Sequence, residues 1–303
     1  MTESVVPFNK HLVFEYGKTE RVAPMIRRVV ARNPSPFTFY GTGTYIVGDG
    51  EVCVIDPGPH LPQHVDAVLE SVQGETITHI LVTHTHRDHS PASRLMQQTC
   101  DAKTYGFGPH ANGNITIRGE VEEGADWEFT PDVKLNDGDV VRGEGWSFEC
   151  VHTPGHTSNH MCFQLREHKS LFCGDHVMGW STSIISPPDG NMTDYLASLE
   201  KLLERDDSVY WPTHGAAIEN PKPFVHAYIA HRRQRETAII QCLEGNIGFI
   251  KDMVPVMYHD LPEPMYPAAA RSVFATLLHL HQRGEVFCDS EPGLDSLYIR
   301  SKK

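Results

Sequence analysis

The sequence predicts an α+β fold with a two-sheet body and a small winged-helix-like domain at its C-terminal end. Short apolar runs recur through the first 220 residues, and glycine, proline and aspartate bound most of them, as is typical of buried strands. Segments with apolar residues at helical spacing lie between these runs. After residue 245, helical segments precede two short apolar runs, an order that indicates a winged helix. The 303 residues suffice for one large core and a second small one.

The first clear elements are a hairpin, a helix and a strand. Apolar runs at 44–47 and 52–55 are joined by a Gly-Asp-Gly turn at 48–50, which favours two antiparallel strands. Residues 62–72 have the apolar spacing of a helix, and they lead into the β-branched run at 77–82. Together these segments predict a βαβ unit.

The stretch at 77–90, which reads ITHILVTHTHRDHS, carries the strongest chemical signal. Its strand-like run ends in His84, His86, Asp88 and His89. Because residues two apart in an extended chain point the same way, His84 and His86 can hold one metal ion. A turn after them would direct Asp88 and His89 toward a second. The stretch therefore predicts two adjacent metal ions.

Three further residues of ligand type lie downstream, and each follows an apolar run predicted as a strand. They are His156 after the run at 146–151, Asp175 after 171–173, and His214 after 209–211. A metal site built on the 77–90 stretch requires distant partners of this kind.

The remaining elements are strands and then helices. Strands are predicted at 139–141, 146–151, 161–165 and 170–173, and a leucine stripe predicts a helix at 196–203. Asn220 and Pro221 predict the N-cap and first turn of a helix that ends at Gly245 and Asn246. Further helices are predicted at 250–258 and 268–282, and a closing hairpin at 286–288 and 297–299.

The order of the seven ligand-type residues resembles that of the metallo-β-lactamase superfamily, from about Thr38 to Ala217. The resemblance implies a four-layer αββα sandwich. It also implies that Asp56 braces the metal loop, although the residues alone equally allow an aspartate turn before Pro57. It assigns His84, His86 and His156 to a first metal, Asp88, His89 and His214 to a second, and Asp175 to both.

The segments HTPGHT and HRRQRE extend the resemblance to one branch of this superfamily. That branch carries a C-terminal winged-helix domain, and it includes a single-strand endoribonuclease and many bacterial hydrolases. The expected organisation is a catalytic domain at 1–220, a linking helix at 221–245 and a winged-helix-like domain at 246–303.

The resemblance and the predicted metals imply hydrolysis. We expect two Zn²⁺ ions, with iron or manganese left open, that hold a bridging hydroxide as the nucleophile. Asp88 is the expected proton shuttle, and thus the catalytic side chain. The expected reaction is cleavage of an ester, thioester, lactone or lactam.

Two alternatives stay open. The first is a metal-dependent single-strand endoribonuclease, which would use the basic stretch at 231–235. We interpret those arginines instead as a solvated or salt-bridged helix face, and the pair Arg27 and Arg28 as a solvated surface. The second is a nucleic-acid-binding regulator without catalysis, against which the intact set of seven residues argues.

The charge is divided unevenly, and this bears on possible partners. The net charge is −13, and residues 221–303 hold 10 basic and 9 acidic residues, so that the balance is +1 there and −14 in residues 1–220. An acidic body disfavours nucleic acid as a partner and leaves a small-molecule substrate as the expectation. We also expect that apolar residues such as Leu277 and Leu278 pack on the body or in a homodimer.

We expect a cytoplasmic location. The sequence shows no run of about 18 apolar residues and no export signal, so no membrane association is expected. The seven cysteines are scattered, which suits free thiols in a reducing compartment.

Two loops are expected at the rim of the site, at 106–131 and 177–191. In the second loop and just after it, the candidates for substrate contact are Trp180, Ser181, Ser183 and Tyr195. Among the other histidines, His110 is predicted not to bind metal, and His152 and His160 at most to hydrogen-bond a ligand.

Overall fold

The structure, a computed structural model, describes residues 6–110 and 124–301. Within these residues, the N-terminal half forms a seven-stranded sheet that is antiparallel from the first to the fourth strand and parallel from the fourth to the seventh. In spatial order its strands are β1 (Glu20–Ala23), β2 (Ile26–Val30), β3 (Gly43–Val47), β4 (Glu51–Ile55), β5 (Thr76–Leu81), β6 (Lys103–Gly106) and β7 (Val133–Lys134). Helix α1 (Pro62–Ser71) connects β4 to β5, and α2 (Ala92–Met96) connects β5 to β6. This is the predicted βαβ unit.

The next part of the described chain forms a six-stranded sheet, in which one neighbouring pair is parallel and the others are antiparallel. In spatial order its strands are β13 (Ile218–Glu219), β12 (Val209–Pro212), β11 (Ser170–Gly174), β10 (Met161–Leu165), β9 (Trp146–His152) and β8 (Val140–Gly143). Helix α3 (Met192–Leu203) connects the parallel strands β11 and β12.

The two sheets pack face to face, and helices cover both outer faces. Between the sheets, Tyr45 contacts Phe172 with ring centroids 5.1 Å apart, and Trp146 and Phe148 complete an aromatic core. Helices α1 and α2 pack on the first sheet, and α3 and α4 (Pro221–Glu244) pack on the second. The predicted four-layer αββα sandwich is thus confirmed. Coverage on both faces explains why β3 and β10 are buried at every residue.

The C-terminal residues form a small domain with its own core. It contains α5 (Ile250–Met257), a 3₁₀ turn (Glu263–Met265), α6 (Tyr266–Gln282) and the hairpin of β14 (Val286–Cys288) and β15 (Tyr298–Arg300). Leu277, predicted to face the body or a second chain, is fully buried in this core instead. The domain also contacts the body, since the Thr193 hydroxyl on α3 lies 2.8 Å from His279 Nδ1 on α6.

The N-terminal segment holds strands that the sequence pattern did not indicate, and here one prediction was wrong. Arg27 and Arg28 lie on β2 and are buried, not solvated. Arg27 donates to Glu75 at 2.5 Å, and Arg28 donates to Glu20 at 2.7 Å. Because Glu75 is 48 residues from Arg27, no local pattern could reveal the compensating charge.

Smaller differences occur at helix ends and loops. Helix α4 begins at Pro221 as predicted, but Asn220 is in a left-handed conformation (φ +57°) and its side chain makes no capping hydrogen bond. Helix α2 is short and covers only five residues. Of the rim loop predicted at 106–131, residues 111–123 lie outside the described residues. No helix in the described ranges is long and apolar enough to cross a membrane.

Candidate metal centre

The structure brings the seven predicted ligand residues together at one edge of the two sheets. His84, His86, Asp88 and His89 lie in the loop after β5, which belongs to the first sheet. The second sheet supplies the other three from loops after β9, β11 and β12, and these are His156, Asp175 and His214. All seven side chains are buried. The site therefore depends on the packing of the two sheets, because neither sheet carries a complete set.

A first group consists of three imidazoles. His84 Nε2 lies 3.1 Å from His86 Nδ1, and His86 Nδ1 lies 3.1 Å from His156 Nε2. All three nitrogens fall within 4.8 Å of one another. Such a cluster of ring nitrogens is the donor set that a borderline metal ion such as Zn²⁺ prefers.

A second group combines two imidazoles with a carboxylate. Asp88 Oδ2 lies 3.1 Å from His214 Nε2 and 3.3 Å from His89 Nε2. Asp175 lies between the two groups, because its Oδ2 is 3.4 Å from His214 Nε2 and 3.9 Å from His156 Nε2. This is the position that a residue shared by two metal ions must occupy.

Hydrogen bonds fix the histidine rings so that defined nitrogens face the centre. In four of the five rings Nδ1 is held from outside the centre, which leaves Nε2 as the inward nitrogen. The pairs are His84 with Thr83 Oγ1 (3.0 Å), His89 with the Asp56 carboxylate (2.9 Å), His156 with the Ile184 carbonyl (2.7 Å) and His214 with the Gly41 carbonyl (3.1 Å). An outer acceptor on one ring nitrogen is what orients a histidine toward a metal. The residues present therefore fit divalent metal ions.

The electrostatics of the two groups differ, and both suit cations. Burial, together with the neighbouring histidines, holds the pKa of His84 and His86 well below the usual value, so these rings are neutral and able to bind metal. In the second group, burial disfavours charge, but Asp175 and Asp88 raise the pKa of His214 to about 10. The buried carboxylates thus stabilise positive charge in the second group, and a divalent ion would supply that charge.

Asp56 connects the second group to the edges of both sheets through hydrogen bonds. Its Oδ1 accepts the backbone N–H of Thr83 at 2.7 Å, and its Oδ2 accepts the hydroxyls of Thr83 and Thr213 at 2.8 and 3.0 Å. The same Oδ2 accepts Nδ1 of His89. Asp56 itself has φ +48°, a strained conformation that aspartate tolerates better than most residues. The bracing role implied by the resemblance matches these contacts.

Two glycines allow the ligand loops to approach closely. Gly155 precedes His156 with φ +138°, and a Cβ there would lie 2.3 Å from the Tyr195 Cα atom. Gly174 precedes Asp175 with φ +50°, and a Cβ there would lie 2.6 Å from His160 Nε2. A side chain at either position would displace the ligand that follows it.

Two other histidines lie next to the ligand groups. His110 lies outside the ligand groups, with Nδ1 3.0 Å from the Thr85 hydroxyl. His160 accepts the backbone N–H of Asp175 at 3.2 Å, so it supports the shared carboxylate. The sequence reasoning missed the threonines of the site, although Thr83 and Thr213 each directly precede a ligand.

The loop at 177–191 closes one side of the centre. Its Ile184 carbonyl holds His156, and Ile184 lines a narrow cavity of about 30 Å³ with His86, Asp88 and Asp175. Of the predicted contact residues, Tyr195 and Ser183 are buried, and the Tyr195 hydroxyl donates to the His176 carbonyl at 2.8 Å. These two therefore support the loop from behind.

Arg232 joins the same loop to helix α4, and it is the member of the 231–235 stretch that departs from the solvated or salt-bridged face we expected. Its side chain is buried, donates to the Ser183 carbonyl and lies 5.1 Å from the Tyr195 ring centroid. Because Ser183 precedes Ile184, Arg232 holds the backbone that orients His156.

We expect that Arg232→Met, which keeps the volume but removes the donor, weakens metal binding at the first group by about tenfold, the lower end of the range for such supporting residues. The measurement is a titration of the metal-free protein with Zn²⁺ against a competing chromogenic chelator. Arg233→Met is the matched control, since Arg233 pairs with Glu236 one turn along the same helix. Equal affinities in the two variants would contradict the role given to Arg232.

Known proteins share both this fold and this sequence pattern. The profile of the Metallo-beta-lactamase superfamily matches residues 38–214, and that of the Beta-lactamase associated winged helix domain matches residues 250–293. A Beta-lactamase-like protein 2 homolog of Drosophila melanogaster is 32% identical over 281 residues, which are 88% of this chain and 91% of the relative. An Atrochrysone carboxyl ACP thioesterase of Cryptosporiopsis sp. is 30% identical over 228 residues, 74% of this chain and 65% of the relative.

A solved structure extends the agreement to the whole chain. The crystal structure of a Beta-lactamase domain protein from Burkholderia ambifaria superposes with a TM-score of 0.78, covering 96% of this chain and 95% of that one. Because the sequence identity is only 19%, this superposition supports the fold and carries no statement about function. From the sequence matches and the buried histidine and aspartate cluster, the chain belongs to the metallo-β-lactamase superfamily and is a hydrolase with an associated winged-helix domain.

Proposed function

We propose that this protein is a dinuclear zinc hydrolase that cleaves an ester, thioester, lactone or lactam, with thioesters as the favoured class. The observation that carries the proposal is the pair of buried ligand groups that share Asp175. Their imidazole and carboxylate donors suit zinc, and iron or manganese is the next best choice. The thioesterase among the relatives supports the choice of thioesters.

The chain's own residues then have distinct tasks. When bound, two divalent ions polarise the substrate oxygen and lower the pKa of water to about 7, which makes hydroxide available at neutral pH. Burial disfavours charge on Asp88, but His89 and His214 hold its pKa well below the usual range, so the carboxylate is ionised at neutral pH, which is the form that a proton acceptor requires. The Thr42 hydroxyl donates to Asp88 Oδ2 at 3.2 Å and orients this carboxylate.

The cavity also favours a leaving group that needs little protonation. Its two carboxylates, Asp88 and Asp175, both have a pKa held below the usual range, despite burial, by neighbouring histidines. Neither is a strong general acid at neutral pH. A thiol with a pKa near 8.5 leaves readily as thiolate, whereas an alkoxide requires a proton. This difference supports a thioester over a simple ester.

The endoribonuclease alternative has less support. It relied on the resemblance to one branch of the superfamily and on the arginines at 231–235, and these arginines are engaged within the chain. Arg232 donates to the Ser183 carbonyl, Arg233 pairs with Glu236, and Arg235 donates to the Met257 carbonyl at 2.9 Å. A phosphate chain would have to displace these contacts.

We expect the metal-loaded protein to hydrolyse acyl thioesters faster than the matching oxygen esters, lactones, lactams and a single-stranded RNA. Rates should fall to background with a chelator and return on addition of Zn²⁺, because the ligand groups are complete. The measurement is a panel of chromogenic substrates and labelled RNA, with and without chelator. Chelator-sensitive RNA cleavage without turnover of any acyl substrate would favour the endoribonuclease instead.

A further inference from the structure

A second cavity of about 180 Å³ lies between the 177–191 loop and the C-terminal domain. On the loop side it is lined by Met178, Trp180 and Ile184. On the other side it is lined by Tyr258, Leu261 and Met265, which belong to the winged-helix part of the chain. We refer to this space as the interdomain cleft.

The interdomain cleft adjoins the metal cavity. Phe37, Met178 and Ile184 line both spaces, so one wall of the cleft is also a wall of the site that holds Asp88 and His156. A substrate group in the cleft would therefore lie next to the ligand groups. The C-terminal domain in this way forms one side of a space next to the site.

The lining of the cleft is mostly apolar and, among the described residues, without negative charge. None of the described residues that line it is acidic, and its one arginine, Arg232, is bound to the Ser183 carbonyl. Burial, with Arg232 and Arg235, lowers the pKa of His231 to about 3, so this ring is neutral at physiological pH. The apolar part of this wall, which includes Ile184, Leu261 and Met265, favours an apolar group, because burial of apolar surface is favourable.

The volume limits the size of the occupant. An apolar cavity of about 150 Å³ holds benzene, so about 180 Å³ corresponds to a ring or a chain of roughly six to eight carbons. The aromatic wall is firm on one side, because Trp180 stacks on Phe39 with ring centroids 4.6 Å apart and planes within 8°.

We propose that the interdomain cleft binds the acyl group of the thioester, and that it selects medium-length aliphatic or aromatic acyl chains. This inference rests on the proposed function. The acyl side fits better than the thiol side, because carrier thiols of biological thioesters are long and polar, whereas the cleft is small and mostly apolar. The winged-helix domain is thereby a determinant of specificity.

Met265 is the best position for a test, since it is half-buried, lines the cleft and lies in a short 3₁₀ turn outside the domain core. With the thiol held constant, kcat/KM should rise about fourfold per added methylene, the equivalent of about 0.8 kcal/mol, up to six to eight carbons. Met265→Trp should shift this optimum to two to four carbons and lower turnover of the eight-carbon substrate at least about tenfold. Met265→Ala should shift the optimum to longer chains.

Glu263→Trp, on the exposed side of the same turn, is the control that should leave the chain-length profile unchanged.

A binding measurement separates this inference from the proposed function. A thioether ketone analogue with an eight-carbon chain, which cannot be hydrolysed, should bind the metal-free and zinc-loaded protein in calorimetry, and Met265→Trp should weaken binding at least about tenfold. If Met265→Trp weakened binding of the analogue but the protein hydrolysed no thioester, the cleft assignment would stand and the proposed function would be wrong. Hydrolysis with a flat chain-length profile in all variants would overturn the cleft assignment alone. The cleft assignment would also be overturned if the Met265 variants changed the affinity for a labelled oligonucleotide but not for the acyl analogue. That result would indicate a nucleobase site.

Discussion

Replacing His84 or His86 by alanine is expected to remove the metal of the first group and to lower kcat/KM for the hydrolysed substrate by more than about 100-fold. His84 Nε2 lies 3.1 Å from His86 Nδ1 in the first group. Each variant leaves only two of the three imidazoles of that group. The loss should exceed the 10–100-fold range of residues that merely orient a ligand. The measurement combines elemental analysis with kinetics on protein purified without chelator.

The unaltered protein should carry close to two metal ions per chain, and each variant close to one. His110→Ala is the matched control, because His110 lies in the neighbouring loop but bonds to Thr85 and belongs to neither ligand group. It should keep both metals and full activity. A protein that contains no metal and takes up none from added zinc would refute the assignment of the ligand groups.

The ligand residues could be predicted because each is marked by a local pattern. His84 and His156 follow short apolar runs, and such runs specify buried strands through β-branched and aliphatic side chains alone. The spacing of His84 and His86 adds a geometric signal, since alternate residues of an extended segment share one side. Most strand and helix positions in the sandwich were found for the same reason.

Features that depend on contacts between distant segments could not be predicted. Arg27 and Arg232 look like surface residues locally, and only the folded chain brings them to Glu75 and to the Ser183 carbonyl. The interdomain cleft is a further example, because its walls come from segments about 80 residues apart along the chain and no periodicity relates them. For Asp56 the sequence allowed two roles, and the decision came from hydrogen bonds with Thr213, 157 residues away.

The substitution Asp56→Asn is expected to destabilise the protein by about 3 kcal/mol and to weaken metal binding at the second group by about 10–100-fold. Asparagine tolerates the left-handed backbone at this position, so the change acts through the lost carboxylate. Oδ2 accepts bonds from two hydroxyls and from His89 Nδ1, whereas an amide NH₂ in its place accepts none. The hydroxyls can rotate, but His89 can then only accept through Nδ1, which moves its proton to the inward nitrogen.

This tautomer change is the reason that metal binding should suffer along with stability. The measurements are urea unfolding of the metal-free protein and zinc titration against a competing chelator. Asp49→Asn is the matched control, because Asp49 also makes an ion pair, with Arg21 at 3.3 Å, but both side chains are more than half exposed. Its effect on stability should stay within about 0.5 kcal/mol. If Asp56→Asn bound zinc as tightly as Asp49→Asn does, Asp56 would act only as a turn residue before Pro57, and the second group would be oriented by Gly41 and Thr42 alone.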